Sequence, residues 1–91
     1  MITLKDAQKI VEGCIKKARE ENMNPITIAV LDTRGVLVSS AMEDNSALIR
    51  PDIAFAKAWG CVGIGFSSRA IRDLYGAQPE QTHFFNAARA I

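Results

Sequence analysis

The stretch ITIAVLDTRGVLVSSA, from Ile26 to Ala41, constrains this chain more than any other part of it. Ile26–Leu31 is almost wholly apolar and reads as a strand covered on both faces. Asp32–Gly35, DTRG, is turn chemistry: aspartate bonds its own backbone and glycine accepts a positive φ. Val36–Met42 then returns as a second strand, so the pair is an antiparallel hairpin. Alternation along the second strand puts Val36, Val38 and Ser40 on one side and Leu37, Ser39 and Ala41 on the other. Nothing else in the 91 residues reads as a good strand. A two-stranded ribbon is marginal in water, so helices must cover this one and further strands or further copies must close its edges.

The helices are legible on either side. Thr3 is a good N-cap, with Asp6 at the third helical position as a weak capping box. Leu4, Ala7, Ile10, Val11, Cys14, Ile15 and Ala18 then recur at helical spacing. The charged face allows Glu12–Lys16 and Lys16–Glu20 pairs, a solvated surface and not a binding site. Asn22, Asn24 and Pro25 end this helix. After the loop from Glu43, Pro51 and Asp52 suit the first turn of a second helix running through IAFAKAWGCV. Gly60 and Gly63 on that helix predict a close approach of another backbone. The glycines of GCVGIG run in the reverse of the dinucleotide-binding order and follow a helix, so no nucleotide loop is present. Ser67 or Ser68 caps a short helix ending near Gly76, and Pro79 opens another that carries Phe84, Ala87, Ala88 and Ile91 on one face. The expected class is α+β, with helices packed on an antiparallel sheet in one domain, residues 1–91.

Charge narrows the function. Eleven basic and ten acidic residues leave a net +1, so nucleic acid and anionic membranes are poor partners. No apolar run is long enough to span a bilayer, and the charges in MITLKDAQKI do not suit a signal peptide, which predicts a cytoplasmic protein. Cys14 and Cys61 are too far apart for a zinc or redox motif and are expected as reduced, mostly buried thiols. Asp6, Asp32, Glu43, Asp44 and Asp52 are too dispersed for a metal site.

The order of three motifs resembles the GlcG/HbpS family, described as haem-binding or haem-degrading domains. The family's T-L-x-x-A helix start is matched by Thr3, Leu4 and Ala7. Its I-A-V-x-D-x-x-G-x-L-V hairpin is matched by Ile28, Ala29, Val30, Asp32, Gly35, Leu37 and Val38. Its D-I-A-x-x-K-A helix is matched by Asp52, Ile53, Ala54, Lys57 and Ala58. Arg50 and Pro51 stand where the family is usually small and polar, and WGCVGIG is less family-like. Family domains go on to a glycine-rich stretch and further strands that complete a roughly profilin- or PAS-like sheet. By this resemblance the chain lacks the C-terminal third, and the ribbon's missing partners belong there.

The resemblance implies a haem- or corrinoid-type tetrapyrrole as ligand. Haem iron accepts His, Met, Cys or Tyr. The single histidine, His83, lies beside Phe84 and Phe85 and is the first candidate for the metal, with Tyr75, Cys61 and Met42 behind it. Phenylalanines in a helix core with His83 at the rim explain the same residues without a ligand. Arg69 and Arg72, near the Ser67/Ser68 helix start, are candidates for holding propionates, although a solvated face again accounts for them. Lys57 is expected to pair with Asp32 or Glu43 at the hairpin end, or to touch the ligand. Three functions follow: a homo-oligomeric small-ligand binding module, an enzyme acting on haem or a small metabolite, or a non-catalytic oligomerisation or accessory protein. The sequence supplies no catalytic constellation, which favours the first.

Overall fold

The structure, a computed structural model, describes residues 1–75, with side chains through Asp73. His83 and the expected helix from Pro79 lie outside the described residues, as does the side chain of Tyr75. The order is α1 (Leu4–Glu20), β1 (Thr27–Leu31), β2 (Leu37–Met42), α2 (Arg50–Ile64) and α3 (Ser68–Tyr75). The α+β expectation is met: β1 and β2 form a two-stranded antiparallel sheet, α1 lies against both strands, α2 against β1, and α3 against α2.

Local chemistry sets the ends of α1. Thr3 caps its start, and its Oγ1 accepts the Asp6 N–H at 3.2 Å. At the other end Asn22 takes the left-handed conformation, φ +54°. The Met23 N–H then reaches back to the Ala18 carbonyl at 3.0 Å and the Asn22 N–H to that of Arg19 at 3.3 Å, a Schellman closure. The apolar stripe is narrower than its spacing suggests. Ala7, Val11 and Ala18 are buried and Ile15 half-buried, while Leu4, Ile10 and Cys14 on the flanks are exposed. Cys14 and Cys61 are free thiols, but Cys14 is exposed and Cys61 half-buried, so burial does not protect either fully. The helical pair that forms on the polar face is Lys17–Glu21 at 2.9 Å, not the expected Glu12–Lys16 and Lys16–Glu20. Both partners are exposed, so it contributes little.

The ribbon pairs Thr27 with Met42, Ile28 with Ala41, Ala29 with Ser40 and Val30 with Ser39. Leu31 then pairs with Leu37, which leaves Val38 as an extra residue in a bulge. The simple alternation expected along the second strand therefore fails at that point: Val38 and Ser39 are both half-buried, and Val36 and Leu37 are both exposed. All five residues of β1 are half-buried, which matches a strand covered in part on each face.

The turn is held from within by Asp32, which is only 3% exposed. Its Oδ1 accepts the Arg34 N–H at 2.8 Å and the Val36 N–H at 3.2 Å. Its Oδ2 accepts Nη2 and Nε of Arg34 at 2.8 and 3.2 Å. The Arg34 guanidinium and these backbone amides hold the Asp32 carboxyl below the usual carboxylate range, against the opposing effect of its burial.

Gly35 closes the loop at φ +79°. A β-carbon there would meet the Trp59 ring, a close approach that the glycine spacing of α2 did not point to. Gly60 is buried, but Gly63 is exposed with nothing within 4 Å of where its β-carbon would be. Trp59 also stacks on Phe55, with centroids 5.9 Å apart and ring planes at 16°. α2 begins at Arg50 and Pro51 without a side-chain cap on Ile49, and ends at Gly65 in the left-handed conformation, φ +88°. No described large side chain is less than 2% exposed, and Leu48, Ile49 and Met23 are 93%, 60% and 51% exposed.

Candidate functional site

Helix α2 presents different faces to different cavities, and among the described residues two cations from α2 line the groove between it and residues 23–27. Arg50, Ile53, Ala54 and Lys57 recur at spacings of three and four, so they form one face of the helix. They look across to Met23, Asn24, Pro25, Ile26 and Thr27, and the open groove between them has a volume of about 480 Å³, within the range of small-molecule sites. Pro25, Ile26, Ile53 and Ala54 give the lining an apolar part, and α2 contributes two cations to it. Among the described residues neither Arg50 nor Lys57 has an ion-pair partner.

The opposite wall is pinned. Arg19, at the end of α1, donates from Nη2 to the carbonyls of Met23 at 2.8 Å and Asn24 at 3.3 Å. Its Nε and Nη2 also bond Glu43, at 3.0 and 3.2 Å. Glu43 Oε1 accepts the Ile26 N–H at 2.9 Å, and the Glu43 N–H returns to the Ile26 carbonyl at 3.0 Å. One arginine–carboxylate clamp thus ties the end of α1, the entry to β1 and the exit from β2 into a single unit. Thr27 adds a hydroxyl contact with Ser46 at 2.8 Å.

This arrangement changes the expected role of Lys57. Neither Asp32 nor Glu43 is its partner, because Arg34 and Arg19 already occupy those carboxylates. Lys57 instead faces the groove beside Arg50. Arg69 and Arg72 stand apart, on α3, which packs against α2. Arg72 bonds its neighbour Asp73 at 3.0 Å, and the Ser67 hydroxyl already accepts the Ala70 N–H at 3.1 Å, so the start of α3 is internally capped. Lys57 is placed in a groove with a second cation, Arg50; His83 and the Tyr75 side chain lie outside the described residues.

Three neighbouring cavities among the described residues are poorer in cations, one of them, about 470 Å³, lined by Leu37, Pro51, Asp52, Phe55 and Ala56. A second of about 110 Å³ lies between β2 and α2, where Met42 and Leu37 face Pro51 and Phe55. Another of about 240 Å³ lies beside Arg34, Gly35 and Trp59. Among the described residues no three His, Cys, Asp or Glu side chains gather as a metal site. No described helix is long and apolar enough to cross a membrane.

Sequence reasoning missed Arg50 as a groove residue and missed the Arg19–Glu43 clamp. Arg50 showed only as a departure from the family pattern, and the clamp joins residues 24 positions apart, which no local spacing reveals. The family model described as HbpS-like, haem degrading protein HbpS-like, matches residues 2–91. No curated protein and no solved structure matches the chain.

Proposed function

Because the chain belongs to the HbpS-like family of haem-degrading proteins, we propose that it is a binding module for a haem- or corrinoid-type tetrapyrrole, seated in the groove between α2 and residues 23–27. The observation that carries this reading is one groove lined by two cations, Arg50 and Lys57, which have no ion-pair partner among the described residues, together with apolar Pro25, Ile26 and Ile53. A tetrapyrrole with carboxylate side chains needs both: flat apolar contact for the macrocycle and charge-assisted bonds for its acids. The donor set fits such a ligand. Arg50 can grip a carboxylate in two-point fashion, and Lys57, about two turns further along the same face, supplies a second positive charge. When bound, a haem supplies a redox-active iron.

Binding is proposed ahead of turnover because the sequence supplies no catalytic constellation. We also propose that the protein works as a homo-oligomer. Leu37, Met42, Leu48 and Ile49 are exposed together with other large apolar residues, and no described large side chain is fully enclosed. A second copy is the simplest cover for such a surface.

Titration with metal-free protoporphyrin, followed by fluorescence, tests the site. Saturable binding is expected, with affinity falling about tenfold in Arg50→Ala and again in Lys57→Ala, since hydrogen bonds to charged groups contribute about 1.5–3 kcal/mol. Equal affinity in both variants, or no saturation in the parent chain, overturns the groove as the site.

A further inference from the structure

Residues 23–26, in the groove wall opposite Arg50 and Lys57, lie between α1 and β1 and belong to neither. Pro25 has no N–H to give. A segment outside helix and strand takes its position from whatever bonds its remaining peptide groups. Here side chains do much of that. Arg19 Nη2 holds the Met23 carbonyl at 2.8 Å and the Asn24 carbonyl at 3.3 Å, and Glu43 Oε1 holds the Ile26 N–H at 2.9 Å.

Glu43 stands behind both holds. Its Oε2 meets Arg19 Nε at 3.0 Å and its Oε1 meets Nη2 at 3.2 Å, a two-point grip on the guanidinium. Nη2 has two hydrogens for three acceptors, the Met23 and Asn24 carbonyls and Glu43 Oε1, so one hydrogen is shared. The Arg19 side chain is about half-exposed, and without the carboxylate it is free to turn into water. Glu43 itself is rooted, because its N–H bonds the Ile26 carbonyl at 3.0 Å and its side chain is only 15% exposed. Neither Arg19 nor Glu43 lines the groove.

Resting on the reading of this groove as the ligand site, we propose that Glu43 is a positioning residue for it. Acting through Arg19, its carboxylate fixes the 23–26 wall against the face of α2 that carries Arg50 and Lys57, and it touches no ligand. A wall already fixed spares the ligand the cost of ordering it. Charge alone predicts the opposite sign for the obvious variant. Glu43→Gln removes a negative charge, which by long-range attraction favours an anionic ligand. Loss of the brace weakens binding instead. Glutamine keeps an acceptor for the Ile26 N–H, so the substitution acts chiefly on Arg19.

The test titrates metal-free protoporphyrin into the full chain and into Glu43→Gln, Arg19→Lys, Val11→Ala and Arg50→Ala, followed by fluorescence at a temperature where unfolding curves show every protein folded. Arg19→Lys keeps the charge and loses the planar fork. Val11→Ala removes buried bulk from α1 and controls for stability alone. Affinity about fivefold lower in both Glu43→Gln and Arg19→Lys is expected, with parental affinity in Val11→Ala. Parental or tighter binding by Glu43→Gln, with Arg50→Ala still weakened, overturns the positioning role and leaves the groove reading standing. A loss in Glu43→Gln that Arg19→Lys does not share overturns the route through Arg19, and an equal loss in Val11→Ala assigns the effect to stability and overturns the role. No saturable binding by the parent chain, or parental affinity in Arg50→Ala, removes the reading on which the proposal rests, and the proposal with it.

Discussion

The indole of Trp59 occupies the space a side chain on Gly35 would need. A β-carbon built on Gly35 falls 2.5 Å from Trp59 Cζ3 and 2.9 Å from Cε3. The contact locks the tip of the hairpin to the middle of α2, and it explains the glycine of the D-x-x-G motif on two counts, since φ there is +79°.

Gly35→Ala is therefore expected to destabilise the fold through both terms. The left-handed backbone costs about 1–2 kcal/mol for a residue with a β-carbon, and overpacking against the ring adds about 1–3 kcal/mol. Combining Gly35→Ala with Trp59→Leu should recover the packing part and leave the backbone part. Denaturant unfolding of the two single variants and the double variant measures that coupling, and strict additivity would show that the ring is not the obstacle.

Acid should loosen the hairpin through Asp32. Its folded-state pKa lies below the unfolded value of about 3.9. The stabilisation is thus present above about pH 4 and is lost as the pH falls through the lower folded value. Asp32→Asn should be less stable than the parent chain at neutral pH, with a flatter decline below about pH 4. Urea midpoints measured from neutral pH down into this acid range decide the matter, and parallel curves would remove Asp32 as the source.

Removing the two halves of the Arg19–Glu43 clamp should have unequal effects. Arg19 is about half-exposed, so Arg19→Ala is expected to cost about 1 kcal/mol. Glu43→Ala should cost more, about 2 kcal/mol, because the Ile26 N–H at the entry to β1 also loses its acceptor. Thermal unfolding of both variants in low and high salt checks this, and the Glu43 effect should be the less sensitive to salt.

Esterifying the ligand's acids provides a chemical counterpart to mutating the groove. Metal-free protoporphyrin dimethyl ester should bind the parent chain about tenfold more weakly than the free acid, as expected for a lost charge-assisted bond. The doubly substituted Arg50→Ala, Lys57→Ala chain should not distinguish the two compounds. Competition fluorimetry gives the ratio directly, and an undiminished preference in the double variant would place the acids elsewhere.

Much of the fold was legible because its signals are local. Thr3, Pro51, Ser67 and the DTRG turn each act within a few residues, and the structure places a cap, a helix start or a tight loop at each. The bulge at Val38 was not legible, because a bulge is a property of pairing between strands and leaves little mark on one strand alone. The close approach at Gly35 went unread for a related reason. The ring that meets it belongs to Trp59, 24 positions on, and no local spacing links the two. The site was less readable still. Lys57 emerged from its place in a motif, but its groove is built by a helix cap, a loop and an uncapped helix start that meet only in three dimensions.

The start of α2 has a mechanical consequence. Ile49 offers no side chain to the first free amides of the helix, whereas the facing segment, from Met23 to Ile26, is cross-braced by Arg19 and Glu43. The two sides of the groove are thus held differently: one is braced by side chains from α1 and the end of β2, and the other begins without a capping side chain. On the proposed reading, an acid group gripped by Arg50 would also stand beside those first free amides, so binding is expected to supply the cap that Ile49 does not.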